Sequence, residues 1–114
     1  MKYLMNQTEF EILIGKQESL DPFVPIPDLS VIYFTASWCG PCQKIDKEFL
    51  SRSLSAINFL ICDIDQNDYT AGYCGIRKIP TFMIIYKKEI AKVFSSTNTY
   101  EIVQQINTFI QTTL

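Results

Sequence analysis

The sequence has no histidine. Imidazole acid–base catalysis and His metal ligands are excluded at one stroke. No apolar run approaches the ~20 residues of a membrane-spanning helix. Neither charge dominates: the formal net charge is −2, which makes no electrostatic case for nucleic acid. There is no internal repeat and no shift of composition that marks a second domain, so residues 1–114 are expected to form one domain. The stretch from Met1 to Glu9 is interrupted by polar residues before it reaches the about 7–15 apolar residues of an export signal. A reducing, cytoplasmic setting is therefore expected. In that setting the four cysteines are redox-active or free rather than structural bridges.

What is present is material for a core and one chemical motif. The chain is 47% hydrophobic, with eight Phe and six Tyr, and its charged fraction of 19% is ordinary, so it is not of the disordered type. The motif is Trp38-Cys39-Gly40-Pro41-Cys42. The unbroken apolar run Val31-Ile32-Tyr33-Phe34 leads into it and reads as a buried strand. Cys42, Ile45, Phe49 and Leu50 lead out of it at helical spacing, predicting a helix from about Pro41 to Leu54. Unpaired N–H groups and partial positive charge at a helix start stabilise a thiolate, lowering its pKa from roughly 8.5 into the range of about 3.5–7.5. Cys39, just ahead of that helix, is expected to be the exposed nucleophile that attacks a disulfide. Cys42, one turn inside, can then displace it. Gly40 permits the tight turn, and Pro41 has no N–H to satisfy at an early helical position. Cys-x-x-Cys also serves zinc, but the remaining cysteines, Cys62 and Cys74, are not spaced as a second pair.

The rest of the chain supplies alternating units. Lys2–Met5 is a short first strand, and Thr8 caps a helix that runs to about Lys16. A loop with Pro22, Pro25 and Pro27 fills Glu18 to Ser30. Strands are expected at Val31–Thr35, Ile57–Cys62, Phe82–Tyr86 and Glu89–Phe94, with a hairpin at Lys87-Lys88. A short helix spans Asp68 to Tyr73. A final helix opens with the capping-box variant Asn98-Thr99-Tyr100-Glu101 and lines up Ile102, Ile106, Phe109 and Ile110 on one face. The order β-α-β-α-β-α-β-β-α belongs to the α/β class, with helices on both faces of a sheet whose terminal hairpin is antiparallel.

The Trp-Cys-Gly-Pro-Cys string resembles the active site of the thioredoxin family. The strings Asp65-Gln66-Asn67 and Gly75-Ile76-Arg77-x-Ile79-Pro80-Thr81 are similar to those of its bacterial members, and the likeness covers roughly residues 2–112. It implies the thioredoxin fold, a mixed five-stranded sheet with helices on both faces. It also implies a monomeric protein-disulfide reductase that works through a Cys39–Cys42 dithiol without a bound cofactor. Electrons would come from a flavin-dependent, thioredoxin-reductase-like donor. By the same resemblance Pro80 is a cis-proline facing the cysteines. Trp38, Gly40, Pro41, Ile79 and Pro80 form the surface that receives a target, with the Ile79 backbone pairing to an extended segment.

The departures from the family are specific. Tyr33 stands where the family buries an aspartate that helps deprotonate the resolving cysteine, and Ile61 stands where an accompanying lysine is usual. A phenol with a pKa near 10 is a poor base at neutral pH. That leaves water, or Asp46 four residues after Cys42, to take the proton, with a solvated helix residue the plainer reading of Asp46. Lys47 replaces a helix-kinking proline, which predicts a straighter helix. Lys88 replaces a hairpin glycine, and Ser96, between Ser95 and Thr97, replaces a glycine in the loop opposite the motif. Cys62 reads as a small core residue, and Cys74 as a thiol near the surface, regulatory or inert. Two other functional readings remain alongside the reductase: a thioredoxin-like protein specialised for one partner, and a redox-inactive interaction module using the same groove.

Overall fold

A computed structural model describes residues 2–19 and 21–113; Leu20, within the predicted loop, and the two terminal residues lie outside the described residues. Five strands and four α-helices follow in chain order. They are β1 (Lys2–Tyr3), α1 (Gln7–Leu13), β2 (Leu29–Thr35), α2 (Lys47–Ser53), β3 (Asn58–Asp63), α3 (Asp68–Cys74), β4 (Thr81–Tyr86), β5 (Glu89–Phe94) and α4 (Thr99–Thr113), with a 3-10 turn at Pro41–Lys44 before α2. The sheet order is β1-β3-β2-β4-β5. β1 and β2 run parallel to β3, whereas β4 runs antiparallel to β2 and β5 antiparallel to β4. The sheet is thus mixed, and its antiparallel half begins at β4 rather than only at the terminal hairpin.

β2 is buried along Ser30–Thr35, as an unbroken apolar run requires, and its alternate residues face two different layers. Val31 and Tyr33 join Leu50 of α2 and Ile102 and Ile106 of α4 on one face. Ile32 and Phe34 join Phe10 and Leu13 of α1 and Ala71 of α3 on the other. The strand's C-terminal end, where the chain leaves the sheet between these layers, delivers the motif.

Local capping explains where the elements depart from expectation. The first helix is capped by Asn6, not Thr8: the Glu9 N–H donates to the Asn6 carboxamide oxygen at 3.0 Å. It ends at Leu13 rather than near Lys16, because Gly15 has turned into the left-handed region at φ 76°. In α3, Asn67 caps the Thr70 N–H and also donates from Nδ2 to the Leu4 carbonyl at 3.1 Å, stitching the end of β1 to that helix. In the Pro-rich loop Ile26 packs against the α1/α3 layer, while Phe23 and Val24 face outward.

The largest correction concerns the helix after the motif. It is neither continuous nor straight: the 3-10 turn stops at Lys44, Ile45 is extended (φ −86°, ψ 128°), and a new helix starts at Lys47. Lys47 removes one cause of a kink, but Asp46 supplies another. Its carboxylate accepts the Phe49 N–H at 3.0 Å as an N-cap, while its own N–H donates to Thr99 Oγ1 at 3.0 Å. The break also turns Ile45 into the core.

The Lys87-Lys88 hairpin has φ of 50° and 69° at its two residues. This is the primed-turn geometry that strongly favours glycine and asparagine. Lys88→Gly is expected to raise stability by about 0.5–1 kcal/mol in urea unfolding. A loss instead would show that the Lys88 stem, which lies over Gly15, contributes more than the strain costs.

Candidate functional site

Past Thr35 the chain turns out of the sheet. The Cys39 N–H donates to the Ala36 carbonyl at 3.1 Å, and the Ile64 N–H donates to the Thr35 carbonyl at 3.0 Å, so the ends of β2 and β3 carry the two sides of one site. Cys39 and Cys42 are joined by a disulfide, with their Cα atoms 5.3 Å apart. The Cys42 N–H points at Cys39 Sγ, 3.2 Å away. This donor comes from a four-residue 3-10 turn, not from a long helix, so the macrodipole expected behind Cys39 is reduced to local N–H groups.

Ala36, Cys39 and Cys42 form a small buried cluster, with Ile64 and Ile79 packed on it. Exposure does not separate the two sulfurs as expected: each cysteine is only 2% exposed. Position does. Cys39 lines a groove of about 400 Å³ together with Trp38, Gly40, Pro41, Ile64, Ile76, Arg77, Lys78 and Ile79, and Cys42 is not among its lining residues. Trp38 is 66% exposed, and its indole Nε1–H donates to Asp65 at 2.8 Å, which fixes the ring as one wall. The Ile79–Pro80 peptide is cis. Ser95 Oγ donates to the Pro80 carbonyl, while Ser96 Oγ donates to Glu101 at 3.1 Å and accepts the Asn98 N–H at 3.0 Å. The serines standing near the family's usual glycine therefore tie that loop to the cis-proline and to the start of α4. The Trp38–Asp65 and Ser95–Pro80 bonds are the parts of the site that sequence reasoning missed. The Asp65-Gln66-Asn67 string carried a signal for the first, and nothing local carried one for the second.

Tyr33 is fully buried and stacks on Phe82 with ring centroids 4.7 Å apart. Ile61 is its direct neighbour on β3, so the two departures from the family's buried Asp/Lys pair do sit side by side. Burial raises the Tyr33 pKa above its ordinary 10.0; the Thr35 hydroxyl is close enough to oppose that shift but does not reach hydrogen-bond geometry. Among the described residues the phenol oxygen has no partner. It stays neutral at physiological pH and cannot act as a base there. Asp46 caps α2, and its exposed carboxylate is committed to that role.

Cys62 is buried on β3, its Sγ 3.8 Å from the Asn67 carbonyl, and Cys74 is half-buried at the end of α3 with its Sγ 3.9 Å from Met83 Sδ. Both belong to the α1/α3 layer, apart from the Cys39–Cys42 cluster. Burial pushes the Cys62 thiol up to about 12, helped by the nearby Cys74 and Asp63 charges, and pushes Cys74 up to about 11, from an ordinary 9.0. Folding stability should then depend on alkaline pH. Unfolded thiols lose their protons near 9, folded ones only near 11–12, so the folded state holds more protons in that window. Stability is fully present below about pH 9 and declines from there toward pH 12. Urea midpoints between pH 8 and 10.5 should fall steeply in the wild type and less steeply in Cys62→Ala/Cys74→Ala; equal slopes would contradict the shifts.

Comparison with known proteins agrees with this geometry. The thioredoxin family model matches residues 7–108. A thioredoxin of Callithrix jacchus is 35% identical over 96 residues, covering 82% of this chain and 90% of that protein. A thioredoxin of Ictalurus punctatus is 40% identical over 83 residues, covering 69% and 78%. Among solved structures, Fasciola hepatica thioredoxin superposes with a TM-score of 0.76 at 28% identity, over 95% of this chain and 98% of that one.

Proposed function

The chain belongs to the thioredoxin family and is a thiol–disulfide oxidoreductase acting on protein disulfides; from that premise we propose that Cys39 is the attacking sulfur and Cys42 the resolving one. The observation that carries this assignment is that Cys39, unlike Cys42, lines the groove. In the reduced enzyme the Cys39 thiolate attacks one sulfur of a target disulfide. A Cys39–target disulfide forms, and the other target sulfur leaves as a thiolate and takes a proton. Cys42, once deprotonated, attacks Cys39 Sγ, forming the intramolecular disulfide and releasing the second target thiol. Two electrons pass to the target. With Tyr33 neutral and Asp46 capping α2, water takes the Cys42 proton.

The target lies as an extended segment between Trp38, Gly40 and Pro41 on one side and the Ile79–Pro80 backbone on the other. A flavin-dependent, thioredoxin-reductase-like donor returns the electrons, an expectation that rests on the family alone. We further propose that the chain acts as a single-domain monomer, supported by one sheet that shares its two apolar layers among all four helices. A reducing, cytoplasmic setting is supported by the free thiols of Cys62 and Cys74. No helix among the described residues is long and apolar enough to cross a membrane.

Alkylation of the reduced protein near neutral pH tests the roles. Cys39 should be modified first, with Cys62 protected as a buried thiol and Cys74 as a half-buried one, both protonated. Preferential labelling of Cys42 would reverse the assignment.

A further inference from the structure

We propose that Arg77 and Lys78 select among disulfide targets, favouring segments with an acidic residue beside the reacting cysteine. The proposal rests on the groove being the surface that receives the target. Among the described residues the formal charges lining that groove are these two cations, on a protein whose net charge is −2. A positive wall on an acidic molecule is a local feature, not a reflection of overall charge.

Among the described residues neither cation is engaged elsewhere. Both side chains are exposed, and the ion pairs among the described residues are Lys16–Glu11 and Arg52–Glu48. The backbone that carries them is held at both ends. Gly75 closes α3 in the left-handed region at φ 66°, and the Ile76 N–H donates to the Ala71 carbonyl at 3.0 Å. On the far side Thr81 Oγ1 donates to the Lys78 carbonyl at 2.7 Å. The two charges are therefore presented from a fixed loop immediately before Ile79, which packs on the Cys39–Cys42 cluster. The Asp65 carboxylate, which is not part of the groove lining, accepts the Trp38 indole N–H. A target laid through the groove meets apolar rings and Cys39 in the middle and positive charge along one side. Ile64, Ile76 and Ile79 supply area without discriminating between sequences; the cations discriminate.

The test uses the whole protein, kept reduced, and a series of short disulfide peptides that differ only in the residues flanking the cysteine: Asp/Glu, Asn/Gln or Lys. At low ionic strength kcat/KM for the acidic peptide should exceed that for the lysine peptide by about fivefold or more, with the difference shrinking in ~1 M salt. Arg77→Gln/Lys78→Gln should flatten the ratio to below about twofold. Lys47→Gln/Arg52→Gln, which removes two cations from α2, should leave the ratio as it was. Equal rates for all three peptides in the wild type would overturn the proposal, as would equal loss of preference in the two double variants. The neutral peptide separates the two levels of the argument: if it is not reduced at all, the reading of the groove fails, whereas reduction without charge preference sinks only the role of Arg77 and Lys78.

Discussion

Cys39→Ser should lower disulfide reduction by at least about a thousandfold, to background, because the thiolate and not the hydroxyl is the nucleophile at neutral pH. Cys42→Ser should behave differently. It still attacks, but nothing displaces the target, so one equivalent accumulates as a mixed disulfide through Cys39 that added dithiothreitol releases. The asymmetry comes from geometry: the two sulfurs are equally buried, and only Cys39 lines the groove. A Cys42→Ser protein that turned over normally without added thiol would contradict the two-cysteine mechanism. A partner complex that survived loss of both cysteines would favour the interaction-module reading instead.

Tyr33→Asp should be the most damaging single change to the fold. The ring is fully buried and stacked on Phe82, so its loss costs about 3–5 kcal/mol by analogy with other large-to-small core changes. The introduced carboxyl has no partner, since its neighbour across the β2–β3 ladder is Ile61, and burying it adds at least about 1–3 kcal/mol even when protonated. Against a total of about 5–15 kcal/mol for a domain of this size, the variant would be marginal. Tyr33→Phe gives the contrast. It removes a hydroxyl that has no partner and keeps the stacking, so its urea midpoint should equal or slightly exceed that of the wild type. Where Tyr33→Asp does fold, its carboxyl, with a pKa raised by burial, should introduce a new ionisation into the pH–rate profile between about pH 6 and 8. A stable Tyr33→Asp protein with an unchanged profile would show that this position does not touch the chemistry.

Much of the site was legible because its determinants are local. The strand before Cys39 announces itself through continuous burial, and the strings around Trp38 and Pro80 carry the two walls of the groove. The helix break at Ile45–Asp46 was not legible. It depends on Asp46 acting as a cap while Thr99, 53 residues away, accepts its N–H, a pairing no local pattern encodes. Substitution of Lys for a kinking proline pointed to a straight helix, and a tertiary hydrogen bond overrode it. The burial of Cys39 is not legible for a related reason: a position ahead of a helix says where the sulfur sits along the chain, but Ala36 of the same turn and Ile64 and Ile79 from two other segments pack around it. In the sequence the two cationic side chains at 77 and 78 stand only within the Gly75–Thr81 string, with nothing local to mark them as part of the site. The fold brings them into the lining of one groove with Trp38, Cys39 and Ile64, segments distant in the chain.

The central claim, that the Cys39–Cys42 pair is a reducing dithiol, is tested most directly by its equilibrium with a thiol–disulfide buffer of known potential. The Gly40-Pro41 spacer and family membership predict a value near the about −270 mV of thioredoxin, with the neutral Tyr33 in place of a buried carboxylate. A potential at or above about −180 mV, the region of protein disulfide isomerase, would mean that the pair is poised to oxidise or rearrange disulfides rather than reduce them, and would contradict the account.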